Sequence, residues 1–225
     1  MHLTKSHTIF LLTLLFIIPC LTLKAQNVTS PYSILGIGDI DTKDYGRYFS
    51  EGSTAISRRD VFSYNFSNPA SLTSLPEKVM NFDIATRGRI SNFQLPGTDT
   101  TTGISKDFAV KRVTMAFKVT DKTGIAFGLR PYSSVNYQFQ STQAILDGNS
   151  YYTKSVEGDG GINQVYFSIA RSFGKKFSAG LTTSYLFGSL QKTTDYTSTN
   201  VPLNITKEET TSLYGASVQG GLQYY

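Results

Sequence analysis

The fold is decided by residues 163–190, which read NQVYFSIARSFGKKFSAGLTTSYLFGSL. Mostly apolar side chains alternate with small or polar ones on both sides of a Gly174-Lys175-Lys176 turn. The apolar set contains Val165, Phe167, Ile169, Phe173, Phe177, Ala179, Leu181, Thr183, Tyr185 and Phe187, and the other set contains Gln164, Ser168, Ala170, Ser172, Ser178, Gly180, Thr182, Ser184 and Gly188. Because alternate residues of a strand point to opposite faces, the pattern predicts an antiparallel hairpin with one apolar and one polar face. Such strands, about 9–11 residues long, are typical of transmembrane β-barrels.

The same alternation predicts six strands along the chain. They are residues 79–90, 108–120, 125–139, 163–173, 177–190 and 213–225. Arg112, Lys118 and Arg130 fall on the polar face, as expected, because a cation that faces lipid near the membrane midplane costs about 2–4 kcal/mol. Arg171 has the parity of the apolar face, but it lies beside a turn, where the cost falls to about 0–1 kcal/mol. Short turns at 121–124 and 174–176 alternate with predicted long external loops at 91–107, 140–162 and 191–212.

Composition agrees with a membrane barrel. Tyr and Phe number 14 and 15, and charged residues make up 16% of the chain, against roughly 25% in ordinary soluble domains. A secreted all-β sandwich also alternates and stays open as an alternative. The net charge of +5 is a mild surplus, which argues against a nucleic-acid binder, since such proteins normally show a clustered basic stripe.

The first 25 residues are typical of an export signal. Lys5 precedes an apolar run from Ile9 to Ile18, and Ala25 offers a small residue for cleavage. Ten apolar residues are too few for a transmembrane helix, which needs about 20. Cys20 raises the alternative of a lipoprotein, although bulky residues precede it. The pattern predicts export to the outer membrane with a cleaved signal peptide.

The 200 residues after Ala25 contain no cysteine and no histidine, since His2, His7 and Cys20 all precede it. Nucleophilic pairs that use an imidazole base cannot be built from them, nor can most zinc sites. We therefore expect no enzyme, no metal and no cofactor; an enzyme would have to use carboxylates. Arg58, Arg59 and Asp60 are interpreted as solvated charges.

Residues 26–76 show no sustained strand pattern and are predicted to form a hatch or plug. The segment is rich in aromatic residues, which disordered segments lack; they are Tyr45, Tyr48, Phe49, Phe62, Tyr64 and Phe66. A disordered periplasmic tail is the alternative. The predicted organisation is a signal peptide (1–25), a hatch (26–76) and barrel strands (77–225). Since bacterial barrels have at least about eight strands, we expect an N-terminal part of a longer barrel. The alternative is that Tyr225 is the true end and two strands lie unrecognised in 40–66 or 191–205.

Two short motifs resemble known outer-membrane proteins. Ser30-Pro31-Tyr32-Ser33 with Gly36-Ile37-Gly38-Asp39 resembles the mature start of many such proteins of the Bacteroidota, and Asn68-Pro69-Ala70 is similar to the hatch motif of the FadL/TodX long-chain fatty-acid transporter family. The resemblance implies a barrel closed by an N-terminal hatch that passes hydrophobic molecules. It would put Asn68, Pro69 and Ala70 near the path of a ligand such as a fatty acid.

The resulting hypothesis is passive transport of hydrophobic small molecules across the outer membrane. Its candidate path residues are Asn68, Pro69, Ala70, Phe62 and Phe66. Expected partners are outer-membrane lipid, a hydrophobic ligand and the barrel-assembly machinery. The alternative is a structural or secretion-associated scaffold barrel without solute transport, with a partner surface on the long loops.

Overall fold

The computed structural model of the chain describes residues 30–42, 48, 55–94, 101–144, 151–198 and 204–225. The predicted signal peptide, residues 1–25, lies outside them, as do Tyr45 and Phe49. The strands are β1 (Asp39–Ile40), β2 (Met80–Gln94), β3 (Thr101–Thr120), β4 (Thr123–Ala144), β5 (Tyr151–Phe173), β6 (Phe177–Ser198) and β7 (Asn204–Tyr224). Short 3₁₀ helices span Pro31–Ile34, Ala55–Ser57 and Pro69–Ser74.

Strands β2 to β7 form one antiparallel sheet in sequence order. The decisive hairpin forms around the predicted turn, and in its register Ile169 pairs with Leu181 and Phe173 with Phe177. The two-residue β1 pairs separately with Ser133 and Ser134 of β4. Within the described residues no pairing joins β2 to β7, so the sheet is open there. The prediction of an antiparallel all-β fold is confirmed.

The two faces of the sheet differ as the alternation predicts. One face, called here the apolar face, leaves large apolar side chains exposed; among them are Met80, Phe82, Ile84, Val119, Phe127, Leu129, Val165, Phe167, Ile169, Phe173, Phe177, Leu181, Tyr185, Phe187, Tyr214, Val218, Leu222 and Tyr224. The opposite, polar face buries Thr114, Ser168, Ser178 and Thr182. Arg112 and Arg130 are also buried there, and Arg171 is exposed. A face that exposes Phe and Leu needs an apolar surrounding.

The predicted long loops at 91–107, 140–162 and 191–212 are wrong in extent. Strands β3 to β7 have 20–23 residues and run through most of them. The predicted strands ended where the apolar alternation stops. A strand, however, needs only its ladder of hydrogen bonds and residues of high β propensity, so it can continue without an apolar face. The extensions supply both, since β5 and β6 stay paired up to Tyr152 and Ser198, and the rings of Tyr152 and Tyr196 lie 6.3 Å apart at a tilted angle.

A bulge interrupts the ladder near the level where the apolar residues end. The register between β4 and β5 shifts between Pro131 and Ser133. Nearby Gly160 has φ +123°, a conformation that L-residues with a side chain rarely adopt. Proline and glycine are usual at such irregularities because neither fits a regular central ladder well. The bulge therefore separates a lower half of the sheet from an upper half.

Residues 30–42, 48 and 55–79, called here the N-terminal segment, lie on the polar face. Near the bulge, the amide of Ser30 donates to the carbonyl of Asn136 at 2.9 Å, and that of Asp41 donates to Tyr132 at 2.8 Å. The Pro69–Ser74 helix contacts β3 to β7 at the end of the sheet that carries the short turns. The segment thus begins beside the upper half, at the Pro31–Ile34 helix, and reaches the short-turn end of the lower half at the Pro69–Ser74 helix.

Candidate functional site: the interface between the N-terminal segment and the polar face

The Pro69–Ser74 helix lies so close to the sheet that β6 and β7 use glycine beneath it. A Cβ atom at Gly180 would lie 2.6 Å from the amide nitrogen of Ala70, and one at Gly221 would lie 2.7 Å from Cδ of Pro69. Contacts this short do not occur for real side chains. The small residues that the alternation put on the polar face therefore make room for this helix.

Asn68 fixes the start of that helix and ties it to the sheet. Its side-chain oxygen accepts from the amide of Ala70 at 3.1 Å, as an N-cap residue does. Its Nδ2 donates to the carbonyls of Ile56 at 2.9 Å and Leu222 at 3.1 Å. Both donor hydrogens and the oxygen of one buried carboxamide are used, so Asn68 acts as an anchor between two parts of the segment and β7.

The five predicted path residues have different surroundings. Asn68, Pro69 and Ala70 are buried together in the anchor, and Phe66 is 2% exposed. Phe62 is not part of this interface, since 72% of its surface is exposed. The structure thus brings four of the five into one packed interface and leaves the fifth outside it.

An aromatic core lies next to the anchor. The rings of Tyr64 and Phe66 pack edge to face at 6.1 Å, and Phe66 meets Tyr166 of β5 at 4.7 Å. Leu72, Leu75, Ala116, Ala126 and Ala170 complete the cluster. These side chains join the segment to the sheet through apolar burial, which is the dominant stabilising term in folding.

Polar groups inside this interface are also paired. The hydroxyl of Tyr64 lies 2.7 Å from Oγ of Ser168, which lies 2.7 Å from Oγ1 of Thr182. Burial raises the pKa of Tyr64 above its ordinary value, and burial together with the charge of Asp60 raises the pKa of Tyr48 to about 12. Both phenols are neutral at physiological pH and serve as hydrogen-bond partners.

Charged side chains on the polar face form ion pairs under the segment. Nζ of Lys111 lies 2.5 Å from Oδ2 of Asp41, and Arg112 pairs with Asp83. The guanidinium of Arg130 lies 4.7 Å from the centroid of the Phe66 ring. Cations that would be costly in lipid are thereby held between sheet and segment.

Arg59 was missed as a contact residue by the sequence reasoning. It donates to Oε1 of Gln223 at 2.9 Å, to Oγ of Ser178 at 3.1 Å and to Oγ1 of Thr73 at 3.0 Å, and its guanidinium lies 3.7 Å from the ring centroid of Tyr225. The interpretation of Arg59 as a solvated charge is wrong. Neighbouring Arg58 and Asp60 gave the same local pattern, so no sequence signal distinguished it.

A cavity of about 160 Å³ opens beside the upper half, between the Pro31–Ile34 helix and strands β4, β6 and β7. It is lined by both apolar and charged side chains, among them Val135, Tyr137, Leu190, Lys192 and Glu209. It lies away from the anchor, so the predicted path residues do not line it.

Two searches of the described residues were negative. No group of three or more His, Cys, Asp or Glu side chains among them could hold a metal ion. No helix among them is both long enough and apolar enough to cross a membrane.

Comparison with known proteins gives a family but no individual relative. No curated protein and no solved structure shows significant similarity to the chain. A family model described as BamG matches residues 6–225. That family is linked to outer-membrane protein assembly by the BAM complex and not to solute transport.

The match corrects the functional expectation. Passive transport of hydrophobic molecules is wrong as the main hypothesis, and so are the labels FadL-like and porin-like; the scaffold alternative fits better. The FadL/TodX resemblance is not supported, nor is a fatty-acid ligand, whereas outer-membrane association and a relation to the barrel-assembly machinery are. Because the match spans residues 6–225 of 225, the chain belongs to the BamG family.

Proposed function

We propose that this protein is a non-catalytic structural subunit of the outer-membrane barrel-assembly machinery, held in the membrane by its apolar face. The observation that carries the proposal is the covered polar face. Tyr64, Phe66 and the Asn68 anchor fill it with packed and hydrogen-bonded groups. A transporter would need an apolar path there, whereas a scaffold needs a rigid sheet.

Membrane placement is supported by the height of the exposed apolar residues on β6. They run from Phe177 to Phe187, about 33 Å along a strand at roughly 3.3 Å per residue. At a tilt of about 40° this is about 25 Å along the membrane normal, the usual height of the apolar band of an outer-membrane barrel. Beyond Phe187 the same face carries Ser189, Gln191 and Thr193. Residues 177–187 would therefore contact lipid.

The upper half of the sheet is the proposed docking region. Strands of 20–23 residues have about twice the length that a membrane crossing takes. Short turns of outer-membrane barrels face the periplasm, so the upper half would project from the cell surface. A rigid, polar sheet that continues past the membrane offers a partner a surface that flexible loops do not.

Two further parts of this proposal, an export signal and a hatch, rest on the sequence pattern. Residues 1–25 would be an export signal cleaved near Ala25, and residues 26–76 would form a hatch that holds the polar face closed. The packed N-terminal segment supports the second statement. Neither requires a ligand.

Depletion of the protein in its native host tests this function. We expect lower amounts of several unrelated outer-membrane barrel proteins, with unchanged uptake of a labelled long-chain fatty acid. Unchanged barrel-protein levels together with reduced fatty-acid uptake would overturn the proposal. Re-expression of the wild-type gene is the control for effects on other genes.

A further inference from the structure

We propose that the short-turn end of the sheet binds the phosphate groups of anionic phospholipids in the adjoining membrane leaflet. This inference rests on the membrane placement proposed above. Four exposed cations of strands β3 to β6 and their turns lie at that end, in a group called here the basic rim: Lys122, Arg171, Lys175 and Lys176. They come from the β3–β4 turn, from the end of β5 and from the β5–β6 turn.

Backbone hydrogen bonds hold these cations in one row. The amide of Ser172, next to Arg171, donates to the carbonyl of Lys122 at 2.8 Å. The amide of Tyr225 donates to the carbonyl of Lys176 at 2.9 Å. The two turns and the end of β7 are therefore neighbours, and the row follows the edge of the apolar face.

The cations of the basic rim are not used inside the protein. Within the part of the chain that the structure describes, none of the four forms an ion pair. Asp121 lies on the turn with Lys122, and exposed Glu77 and Lys78 precede β2 at the same end and balance each other, so the rim keeps an excess of positive charge. Elsewhere on the sheet the described cations Lys111 and Arg112 are paired and buried. Unpaired, exposed cations at one level of the sheet are available to an external anion.

The surface next to the rim indicates which anion it meets. Phe173 and Phe177 contact each other with centroids 6.2 Å apart and are 53% and 38% exposed, and Tyr224 is 75% exposed. Aromatic residues at the edge of an apolar band mark the interfacial layer of a membrane. Lipid phosphates occupy that layer, and basic side chains just outside it attract anionic headgroups.

The other end of the apolar band has the opposite charge on the same face. Glu157 pairs with Thr193, and Thr193 pairs with Glu208, which forms one cross-strand row with two carboxylates above the band. Arg171 interrupts the apolar alternation of β5. Its position on the apolar face, beside the turn, would bring its guanidinium to the phosphate layer, and this contact would explain the exception. The charge of the two ends therefore assigns anionic phospholipid to the short-turn leaflet.

A charge-matched pair of variants of the full-length protein tests the basic rim. The rim variant is Lys122→Gln with Lys175→Gln and Lys176→Gln, and the control is Lys154→Gln with Lys192→Gln and Lys207→Gln in the upper half. Native mass spectrometry would count lipids retained after exchange into mixed micelles of phosphatidylglycerol, phosphatidylcholine or lipid A. We expect the preference for phosphatidylglycerol over phosphatidylcholine to fall about a hundredfold in the rim variant, given roughly 1 kcal/mol for each of the three cations removed. The control should stay within about twofold, and the wild-type preference should weaken with salt.

Three outcomes would overturn the inference. They are equal loss in both variants, no preference in the wild type, and rim-dependent retention of lipid A in place of phosphatidylglycerol. Arg171→Gln should lower retention in part, and Arg171→Lys should restore it.

Co-isolation of the same variants with the assembly machinery distinguishes this inference from the proposed function. A rim variant that still co-isolates but loses its lipid preference supports both, whereas wild-type protein that binds phosphatidylglycerol yet never co-isolates would contradict the proposed function alone.

Discussion

At the scale of single residues, clearance and hydrogen bonding at the polar face decide how the N-terminal segment docks. Gly220 and Gly221 follow each other on β7 but lie on opposite faces. A Cβ atom at Gly221 would collide with the carboxamide oxygen of Asn68, while one at Gly220 would meet nothing within 4 Å. Adjacent positions of one strand therefore differ completely in their tolerance of a methyl group.

We predict that Gly221→Ala destabilises the folded protein by about 1–3 kcal/mol, the usual cost of overpacking. Gly220→Ala should change stability by less than about 0.5 kcal/mol, as at most surface positions. Urea titration in detergent, followed by circular dichroism and heat-modifiable gel mobility, measures both. Equal stabilities for the two variants would show that the Pro69–Ser74 helix does not rest on β7.

A second prediction concerns the Asn68 carboxamide. Asn68→Asp keeps the oxygen that caps Ala70 but loses both donated bonds, and Asn68→Ala loses all three. Since an N-cap is worth about 1 kcal/mol, Asn68→Ala should cost more than the loss of the donors to Ile56 and Leu222 alone. Limited proteolysis of the N-terminal segment should be faster than in the wild type in both variants, because Asn68→Asp replaces the two donated bonds by a carboxylate that faces the carbonyl oxygens of Ile56 and Leu222. Cleavage of Asn68→Ala at the wild-type rate would mean that the anchor is dispensable.

At the scale of elements, the strands extend beyond the apolar alternation that predicted them. The lower halves were predictable because their apolar and polar residues alternate. The upper halves were not, because both of their faces are polar and the period-two signal disappears while the backbone ladder continues. The loop boundaries at 140 and 191 marked the end of the apolar face and not the end of the strands.

Hydrogen–deuterium exchange tests the upper halves directly. Amides of Thr193 and Asp195 on β6 should be protected, since both lie in ladders with β5 and β7. Exchange should be slower there than in a flexible loop and faster than near Leu181, because the Pro69–Ser74 helix and the aromatic core pack on the lower half. Exchange at the rate of an unstructured peptide across 191–198 would contradict the extended strands.

At the scale of the whole molecule, the sequence pattern predicted the class of protein correctly but not its function. Exposed apolar alternation indicates a lipid-facing sheet whatever the protein does. Asn68, Pro69 and Ala70 were predicted to line a ligand path because they resemble the hatch motif of the FadL/TodX family. Only their burial against Gly180 and Gly221, and the family match over residues 6–225, distinguish an anchor from a path. Arg59 could not be found at all, because its partners Thr73, Ser178 and Gln223 are distant in sequence.

The most direct test of the central claim is photo-crosslinking in native outer membranes from two threonines on one face of β6. Thr183 lies within the apolar band, and Thr193 lies ten residues further along, in the upper half. With a photoreactive residue at Thr193, the affinity-isolated protein should carry crosslinks to a component of the barrel-assembly machinery. The Thr183 probe should give lipid adducts and little protein. If neither position crosslinks to the machinery and the protein is isolated alone, the account of an assembly subunit is contradicted.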